Sequence, residues 1–100
     1  RRSGHHFSIA LIDLDLFKQI NDQFGHDAGD DVLREFAALM RTVIRQADVA
    51  ARWGGEEFLV LLPDTSLLQA LSLAERLRSQ VARHPFRFRD QALPVTISVT

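Results

Sequence analysis

Two short apolar runs constrain the fold of this chain most strongly, because both are rich in strand-forming residues and have sharp polar boundaries. FSIALIDLD, residues 7–15, ends abruptly in two carboxylates. EFLVLLP, residues 57–63, follows a pair of glycines and ends in proline. Runs of this length with such boundaries indicate buried β-strands. The chain therefore needs a sheet to which both runs belong.

Segments with helical periodicity lie between these two runs and after the second one. LFKQINDQFG predicts a short helical turn closed by Gly25. Apolar residues then recur at helical spacing, which predicts a helix from Asp30 to about Gln46 with Asp30 and Asp31 at its positive end. Beyond Pro63 a second apolar stripe predicts another helix, and Ser66 is the expected cap.

The remaining segments complete the order strand, helix, strand–strand hairpin, helix, strand. DVAARW and EFLVLLP form the hairpin, and Gly54–Gly55 is expected to supply the positive φ angles of a tight turn. FRFRD and LPVTISVT are expected to be late strands. The fold class is thus α+β, a ferredoxin-like sheet with both helices on one face. This arrangement brings Asp13 and Asp15 close to Glu56 and Glu57.

Composition limits the classes of function. One hundred residues with a net charge of −1 make one small domain, and that charge argues against a general nucleic-acid or membrane-surface binder. The chain has no cysteine, which excludes disulfides and thiolate metal sites. No apolar run approaches the ~18 residues of a membrane span and no signal peptide opens the chain. We therefore expect a cytoplasmic domain without membrane contact of its own, within a parent that is either soluble or membrane-anchored.

Carboxylates cluster in one part of the chain, where Lys18 is the only base among six aspartates. Hard cations such as Mg²⁺ are held by one or two carboxylates, and water and substrate phosphates fill the other positions. The alternative is that these residues are ordinary strand ends, turns and solvated faces. Free amides at the start of a helix next to Lys18 favour a nucleoside-triphosphate and Mg²⁺ site. The six aspartates are Asp13, Asp15, Asp22, Asp27, Asp30 and Asp31.

Three motifs, DLDLFKQIND, FGHDAGD and RWGGEEF, occur in this order. Together they resemble the GGDEF family, the catalytic domain of diguanylate cyclases, from about Phe7 to Thr100. The resemblance implies a palm-type fold like that of nucleotide cyclases. It also implies that two GTP molecules are condensed into cyclic di-GMP with release of pyrophosphate, each GTP being held by one domain of a homodimer.

The resemblance covers only part of a family domain. RRSGHH is expected to be the tail of a longer N-terminal segment, and a helix carrying phosphate-binding bases is expected after Thr100. Residues 1–100 are therefore interpreted as a partial GGDEF domain that is inactive when isolated.

The family resemblance implies catalytic and metal-binding roles. Glu56 would be a metal ligand and the proton acceptor for the attacking hydroxyl. Asp13 and the backbone carbonyl of Leu14 would complete the protein's share of a site for two Mg²⁺ or Mn²⁺ ions. Glu57 would either join the second metal site or only shape the turn. Lys18 would bind phosphate and stabilise charge in the transition state.

The same resemblance implies contacts with the nucleotide. Asn21 and Asp30 would read guanine, because a carboxylate accepts both N–H groups on the guanine edge whereas adenine offers an acceptor there. His26 either contacts the nucleotide or orders its own loop, and Phe17 belongs to the same substrate-binding set. Gly54–Gly55 would let the nucleotide approach the backbone closely.

A second site is suggested by RQAD, Arg45 to Asp48. It fits the RxxD motif that in this family lies five residues before the GG pair and binds the product as an inhibitor, with Arg76 as a further contact. The alternative is a helix-end arginine beside a strand-start aspartate. This motif also keeps open an alternative function, a catalytically inactive GGDEF module that binds cyclic di-GMP or GTP and acts as a regulator.

Overall fold

The computed structural model describes residues 7–100, so the prediction made for RRSGHH lies outside the described residues. The helices and strands follow one another without a long interruption. In chain order they are β1 (Phe7–Leu14), α1 (Phe17–Phe24), α2 (His26–Val43), β2 (Val49–Arg52), β3 (Glu57–Pro63), α3 (Leu67–Arg83), β4 (Arg87–Phe88), β5 (Gln91–Ala92) and β6 (Ile97–Val99).

The main sheet has the strand order β2-β3-β1-β6, and every neighbouring pair is antiparallel. This is the predicted ferredoxin-like α+β arrangement, and the class is confirmed. The two late segments differ from prediction, because β4 and β5 form a separate two-stranded hairpin. Arg89 and Asp90 turn that hairpin with positive φ angles. Pro94, which has no N–H to donate to a ladder, separates it from β6.

Alternation along β1 shows which face of the sheet is covered. Ala10, Ile12 and Leu14 are almost fully buried, whereas Phe7 and Ile9 remain 61% and 56% exposed. Period-two alternation of this kind places one set of side chains against the helices and the other on the opposite face. Helices α2 and α3 pack buried side chains into the same core, among them Phe36, Met40, Leu77 and Val81.

Helix α2 has different ends from those predicted. It begins at His26 rather than Asp30, because Gly25 adopts φ 96° and separates it from α1 directly. Asp27 therefore occupies the first turn, and Asp30 lies further along the helix. At the other end the backbone N–H of Arg45 donates to Asp48 Oδ2 at 2.7 Å, and the helix stops at Val43.

Helix α3 begins as predicted. Ser66 and Gln69 form a reciprocal capping box, in which each side chain accepts from the backbone N–H of the other residue, at 3.2 and 2.8 Å. No helix within residues 7–100 has the length and hydropathy needed to cross a lipid bilayer.

Candidate active site

The hairpin between β2 and β3 turns through Trp53 to Glu56. The prediction that Gly54 and Gly55 adopt positive φ is wrong, since within residues 7–100 the glycine with positive φ is Gly25. The turn is longer than a two-residue one, and it closes when the N–H groups of Trp53 and Gly54 donate to the Glu57 carbonyl at 2.7 and 3.2 Å. A Cβ added at Gly55 would meet no atom within 4 Å. Gly55 therefore keeps the surface of the turn open, whereas a Cβ at Gly54 would lie 3.2 Å from Glu57 Oε1. Neither glycine is needed for a left-handed conformation.

The end of β1 lies directly beside this turn. Asp13 pairs with Glu57 on one side and with Ser98 on the other, so these three side chains share one face of the sheet. The Leu14 N–H donates to the Glu56 carbonyl at 3.1 Å. The residues predicted to bind metal are thus brought onto adjacent strand ends. The Leu14 side chain is buried in the core, which leaves only its backbone available to a ligand.

Asp13 carries an unsatisfied oxygen, because its Oδ1 is buried and has no hydrogen-bond partner. A buried carboxylate oxygen without a partner is costly and calls for an unseen ligand or another compensation. Within residues 7–100 no three acidic, histidine or cysteine side chains converge on one point. One or two carboxylates together with backbone oxygens suit Mg²⁺ or Mn²⁺, which also take water and phosphate oxygens. The donor set therefore fits a hard divalent cation.

The turn from β1 into α1 fixes the next part of the site. Asp15 accepts hydrogen bonds from the hydroxyls of Thr96 and Ser98 at 3.0 and 2.7 Å, a structural role that ties this turn to β6. Leu16 adopts the left-handed conformation (φ 57°), and no side chain caps the first turn of α1. A helix start without a side-chain cap leaves backbone N–H groups for an anion.

A cleft of about 290 Å³ opens between α1, α2 and the hairpin turn. It collects most of the residues predicted to bind and transform the nucleotide. Asp13, Leu14, Gly54 and Glu57 are not among its lining residues and belong to the strand ends and turn described above. The cleft is lined by Phe17, Lys18, Asn21, His26, Asp30, Leu33, Arg52, Gly55 and Glu56.

Asn21 packs against Gly29, a residue to which sequence reasoning assigned no role. A Cβ built on Gly29 would lie 1.9 Å from Asn21 Oδ1 and 3.1 Å from Phe17 Cζ. Asn21 Oδ1 is itself buried and has no hydrogen-bond partner. The signal in the sequence was a glycine inside a helical pattern, a position that usually has a packing or functional reason.

If Asn21 reads guanine as the family resemblance implies, Gly29→Ala should weaken GTP binding by about tenfold or more, because the new methyl group displaces the Asn21 side chain. Stability should change little, since alanine is favoured over glycine in a helix by up to about 1 kcal/mol and offsets the strain. Calorimetric titration of the full-length variant with GTP and a thermal unfolding curve measure the two effects.

The Asn21→Ala variant supplies the comparison for this test. If Gly29 acts through Asn21, the double variant should bind GTP no more weakly than Asn21→Ala alone. Additive losses would show that the methyl group acts by another route.

Arg52 is the second residue that sequence reasoning missed. It lines the cleft, and its guanidinium donates to the carbonyls of Gly54 and Gly55. The signal was its place two residues before the glycine pair, in the motif RWGGEEF, but nothing local indicates where its side chain points.

The RxxD segment forms a compact ion pair. Arg45 Nη2 lies 2.7 Å from Asp48 Oδ1, and the Asp48 side chain has no exposed surface. The same nitrogen donates to the Pro63 carbonyl at 2.9 Å and to Thr65 Oγ1 at 2.5 Å. Burial by itself raises the pKa of Asp48, but hydrogen bonds from the Arg45 side chain and backbone outweigh it and leave that pKa below its usual 3.8. In this conformation Asp48 anchors Arg45, and direct contact between Asp48 and a ligand requires the pair to open.

Arg45 and Arg76 line one cavity of about 230 Å³ between α3 and the segment after β3. Arg76 Nη2 donates to the Val43 carbonyl at 2.9 Å, so it also caps the end of α2. Two guanidinium groups therefore border the same concave surface.

These features agree with a comparison of the whole sequence. Residues 1–100 match the family described as diguanylate cyclase, GGDEF domain. The chain belongs to the GGDEF family. Among curated relatives of this family, the diguanylate cyclase DgcP of Pseudomonas aeruginosa is 52% identical over 97 residues, which cover 97% of this chain and 14% of DgcP. The chain spans 14–25% of the length of the first curated relatives.

Solved GGDEF domains share the fold described above. The active GGEEF domain of a diguanylate cyclase from Vibrio cholerae has a TM-score of 0.84 and 42% identity, covering 93% of this chain and 58% of that one. The GGDEF domain of DgcB from Caulobacter crescentus, solved in complex with cyclic di-GMP, has a TM-score of 0.89 and 31% identity, covering 96% and 58%. The GGDEF domain is the catalytic domain of diguanylate cyclases, and its fold and enzyme class are those predicted from the motifs.

Proposed function

We propose that this chain is part of a diguanylate cyclase that condenses two GTP molecules into cyclic di-GMP and two pyrophosphates. The observation that carries the proposal is the single cleft that collects Lys18, Asn21, Asp30 and Glu56. A cation, two guanine-reading polar groups and a carboxylate are the groups that this reaction needs at one place. Incubating the full-length parent protein with GTP and Mg²⁺, followed by chromatography, tests it: formation of cyclic di-GMP is the expected result.

Guanine would be read by Asn21 and Asp30. The buried, unpartnered Asn21 Oδ1 is an acceptor that a guanine N–H group would satisfy. Asp30 lines the same cleft, and an ionised carboxylate accepts two N–H groups from the guanine edge. Adenine places a ring acceptor in that position, which a carboxylate repels. This difference supports GTP over ATP as the substrate.

The triphosphate would lie against Lys18 and the start of α1. Lys18 lines the cleft, and the first turn of α1 has no side-chain cap that competes for its backbone N–H groups. A helix N-terminus and an ammonium group both favour negative charge. Phe17, only 7% exposed, is an apolar lining residue of the same cleft. His26 begins α2 and lines the same cleft, where it would contact the nucleotide.

Glu56 would take the proton from the attacking hydroxyl. The 3′-oxygen of one GTP bonds to the α-phosphorus of the other, the bond to the pyrophosphate oxygen breaks, and the hydroxyl proton passes to the Glu56 carboxylate. Repeating the step in the opposite sense closes the ring. Each GTP must therefore be held by its own domain, so a homodimer with two facing clefts is part of the proposal.

Asp13, the Leu14 carbonyl and Glu56 would hold Mg²⁺ or Mn²⁺, with Glu57 as a further carboxylate on the same face as Asp13. The buried, unpartnered Asp13 Oδ1 supports this assignment. Bound divalent cations, two in the proposed site, would neutralise phosphate charge and make the hydroxyl easier to ionise.

The Arg45–Arg76 cavity would bind the product. Guanidinium groups stack on guanine and donate to its acceptors and to phosphate. The solved complex of a related GGDEF domain with cyclic di-GMP supports a product-binding role in this family. The same cavity supports the second candidate function, a regulatory module that binds cyclic di-GMP or GTP without turnover.

We expect Arg45→Ala to relieve inhibition by cyclic di-GMP without a comparable loss of initial rate, since Arg45 lies outside the cleft that holds the predicted catalytic groups. It should also lower the midpoint of thermal unfolding by several degrees, because Asp48 stays buried without its cation. Initial rates measured with and without added product, beside unfolding curves, check both effects.

The stability effect should depend on pH. The pKa of Asp48 is lower in the folded chain than in the unfolded one, so the pair stabilises the fold above about pH 4 and this contribution is lost as pH falls through the folded pKa. Arg76→Ala is the comparison, because it removes a cavity arginine and leaves the ion pair intact. Inhibition of both variants equal to that of the parent would refute the proposed product site.

A further inference from the structure

Arg52, the last residue of β2, donates hydrogen bonds to the two carbonyls of the glycine turn, Gly54–Gly55. Its Nε donates to the Gly54 carbonyl at 3.1 Å and its Nη2 donates to the Gly55 carbonyl at 2.5 Å. A planar guanidinium presents donors in a fixed fork, so two neighbouring bonds constrain both peptide units at once. The same side chain borders the cleft that contains Glu56.

The glycine turn needs such a constraint because its own residues make few interactions that fix the backbone. Two consecutive glycines have no side chains to pack, and glycine has more backbone freedom than any other residue. The N–H groups of Trp53 and Gly54 are held by the Glu57 carbonyl, which fixes the start of the turn. The Gly54 and Gly55 carbonyls are held by Arg52, which fixes the two peptide units that lead into Glu56.

Fixing these carbonyls also fixes the amide groups across each peptide bond. No peptide bond in the described chain is cis, and in a planar trans peptide the C=O and N–H groups point in opposite directions. The N–H groups of Gly55 and Glu56 therefore point away from Arg52. The carbonyl oxygens are held on the Arg52 side.

We propose that Arg52 is a positioning residue of the cyclase site. By holding both glycine carbonyls it sets the direction in which Glu56 leaves the turn. The inference rests on the proposed function for its catalytic consequence. The alternative is that Arg52 acts only as a cation that binds phosphate. Arg52→Lys would preserve that role but would remove a positioning role.

Arg52→Lys in the full-length protein keeps the positive charge but removes the fork. We expect kcat to fall about tenfold to a hundredfold, because small misplacement of a catalytic group is costly. Affinity for 3′-deoxy-GTP, which lacks the attacking hydroxyl, should stay within about threefold of the parent's, because the charge near the nucleotide is retained. Hydrogen exchange of the Trp53 and Gly54 amides, measured by mass spectrometry of turn peptides, should become faster than in the parent.

Arg87→Lys is the matched control, because Arg87 also donates to a turn carbonyl, that of Asp90 at 2.8 Å, and does not line the cleft. It should leave kcat and the exchange of the glycine turn unchanged. Parental kcat in Arg52→Lys, combined with a raised KM in Arg52→Ala, would show a phosphate-binding cation and overturn the proposal. If the parent makes no cyclic di-GMP, the proposed function fails, but the hydrogen exchange of the turn amides still tests the positioning role. Faster exchange in Arg52→Lys supports that role, and unchanged exchange overturns it.

Discussion

Replacement of Glu56 by glutamine in the full-length protein is expected to reduce cyclic di-GMP synthesis by about a thousandfold or more. Glutamine keeps the size and shape of the side chain but cannot accept the hydroxyl proton and is a poor ligand for a hard cation. Glu56 lines the cleft, and its carbonyl is held by the Leu14 N–H at 3.1 Å. The backbone bond is independent of the side chain, so the turn should keep its position.

Product formation per minute, measured by chromatography at saturating GTP, gives the effect, and a thermal unfolding curve shows that the fold is intact. Glu75→Gln is the matched control, because Glu75 lies on α3 and pairs with Arg78 at 2.5 Å, outside the cleft. Turnover of Glu56→Gln within about tenfold of the parent would rule out the proposed role of Glu56, since loss of a central group in such a site costs far more.

Replacement of Asp30 by alanine is expected to lower the preference for GTP over ATP by about a hundredfold. The parent's preference should come from a carboxylate that accepts two guanine N–H groups and repels the adenine ring acceptor. Alanine removes the attraction for GTP and the repulsion of ATP together. Affinity for GTP should therefore fall while affinity for ATP rises or stays the same.

Competition binding with both nucleotides measures the preference directly. Asp31→Ala is the matched control on the same helix, because Asp31 pairs with Arg34 at 2.7 Å and does not line the cleft. The control should keep the parent's selectivity. An unchanged GTP/ATP ratio in Asp30→Ala would mean that Asp30 has no part in reading the base.

Strand β3 and the cap of α3 could be predicted because their signals are local. The run EFLVLLP coincides with β3 at both ends, and Ser66 carries its capping partner three residues later. The start of α2 could not be placed, because it depends on the backbone angle of Gly25, which the residue type permits but does not require. The glycine turn was assigned the wrong backbone angles for the same reason.

The site residues that belong to a sequence motif could be predicted. The contacts between residues on different helices could not. Lys18, Asn21, Asp30 and Glu56 all belong to recognisable motifs, and the structure gathers them in one cleft. The close packing of Gly29 on Asn21 depends on how α1 crosses α2, which no local pattern specifies.

The ion pair between Arg45 and Asp48 could not be predicted from the sequence either. Asp48 looked available to a ligand, but its carboxylate is covered and held by Arg45. A pairing of this kind depends on where the end of a helix meets the start of a strand in space. Sequence spacing gave the residues of the second site but not their mutual arrangement.

The most direct test of the central claim is the stoichiometry of the reaction catalysed by the full-length parent with GTP and Mg²⁺. Nucleotide products are separated by chromatography, and pyrophosphate is measured in the same samples over time. The proposed condensation predicts one cyclic di-GMP and two pyrophosphates for every two GTP consumed, with none formed by Glu56→Gln. Consumption of GTP to GDP and phosphate, or binding of GTP without any cyclic di-GMP, would contradict the account.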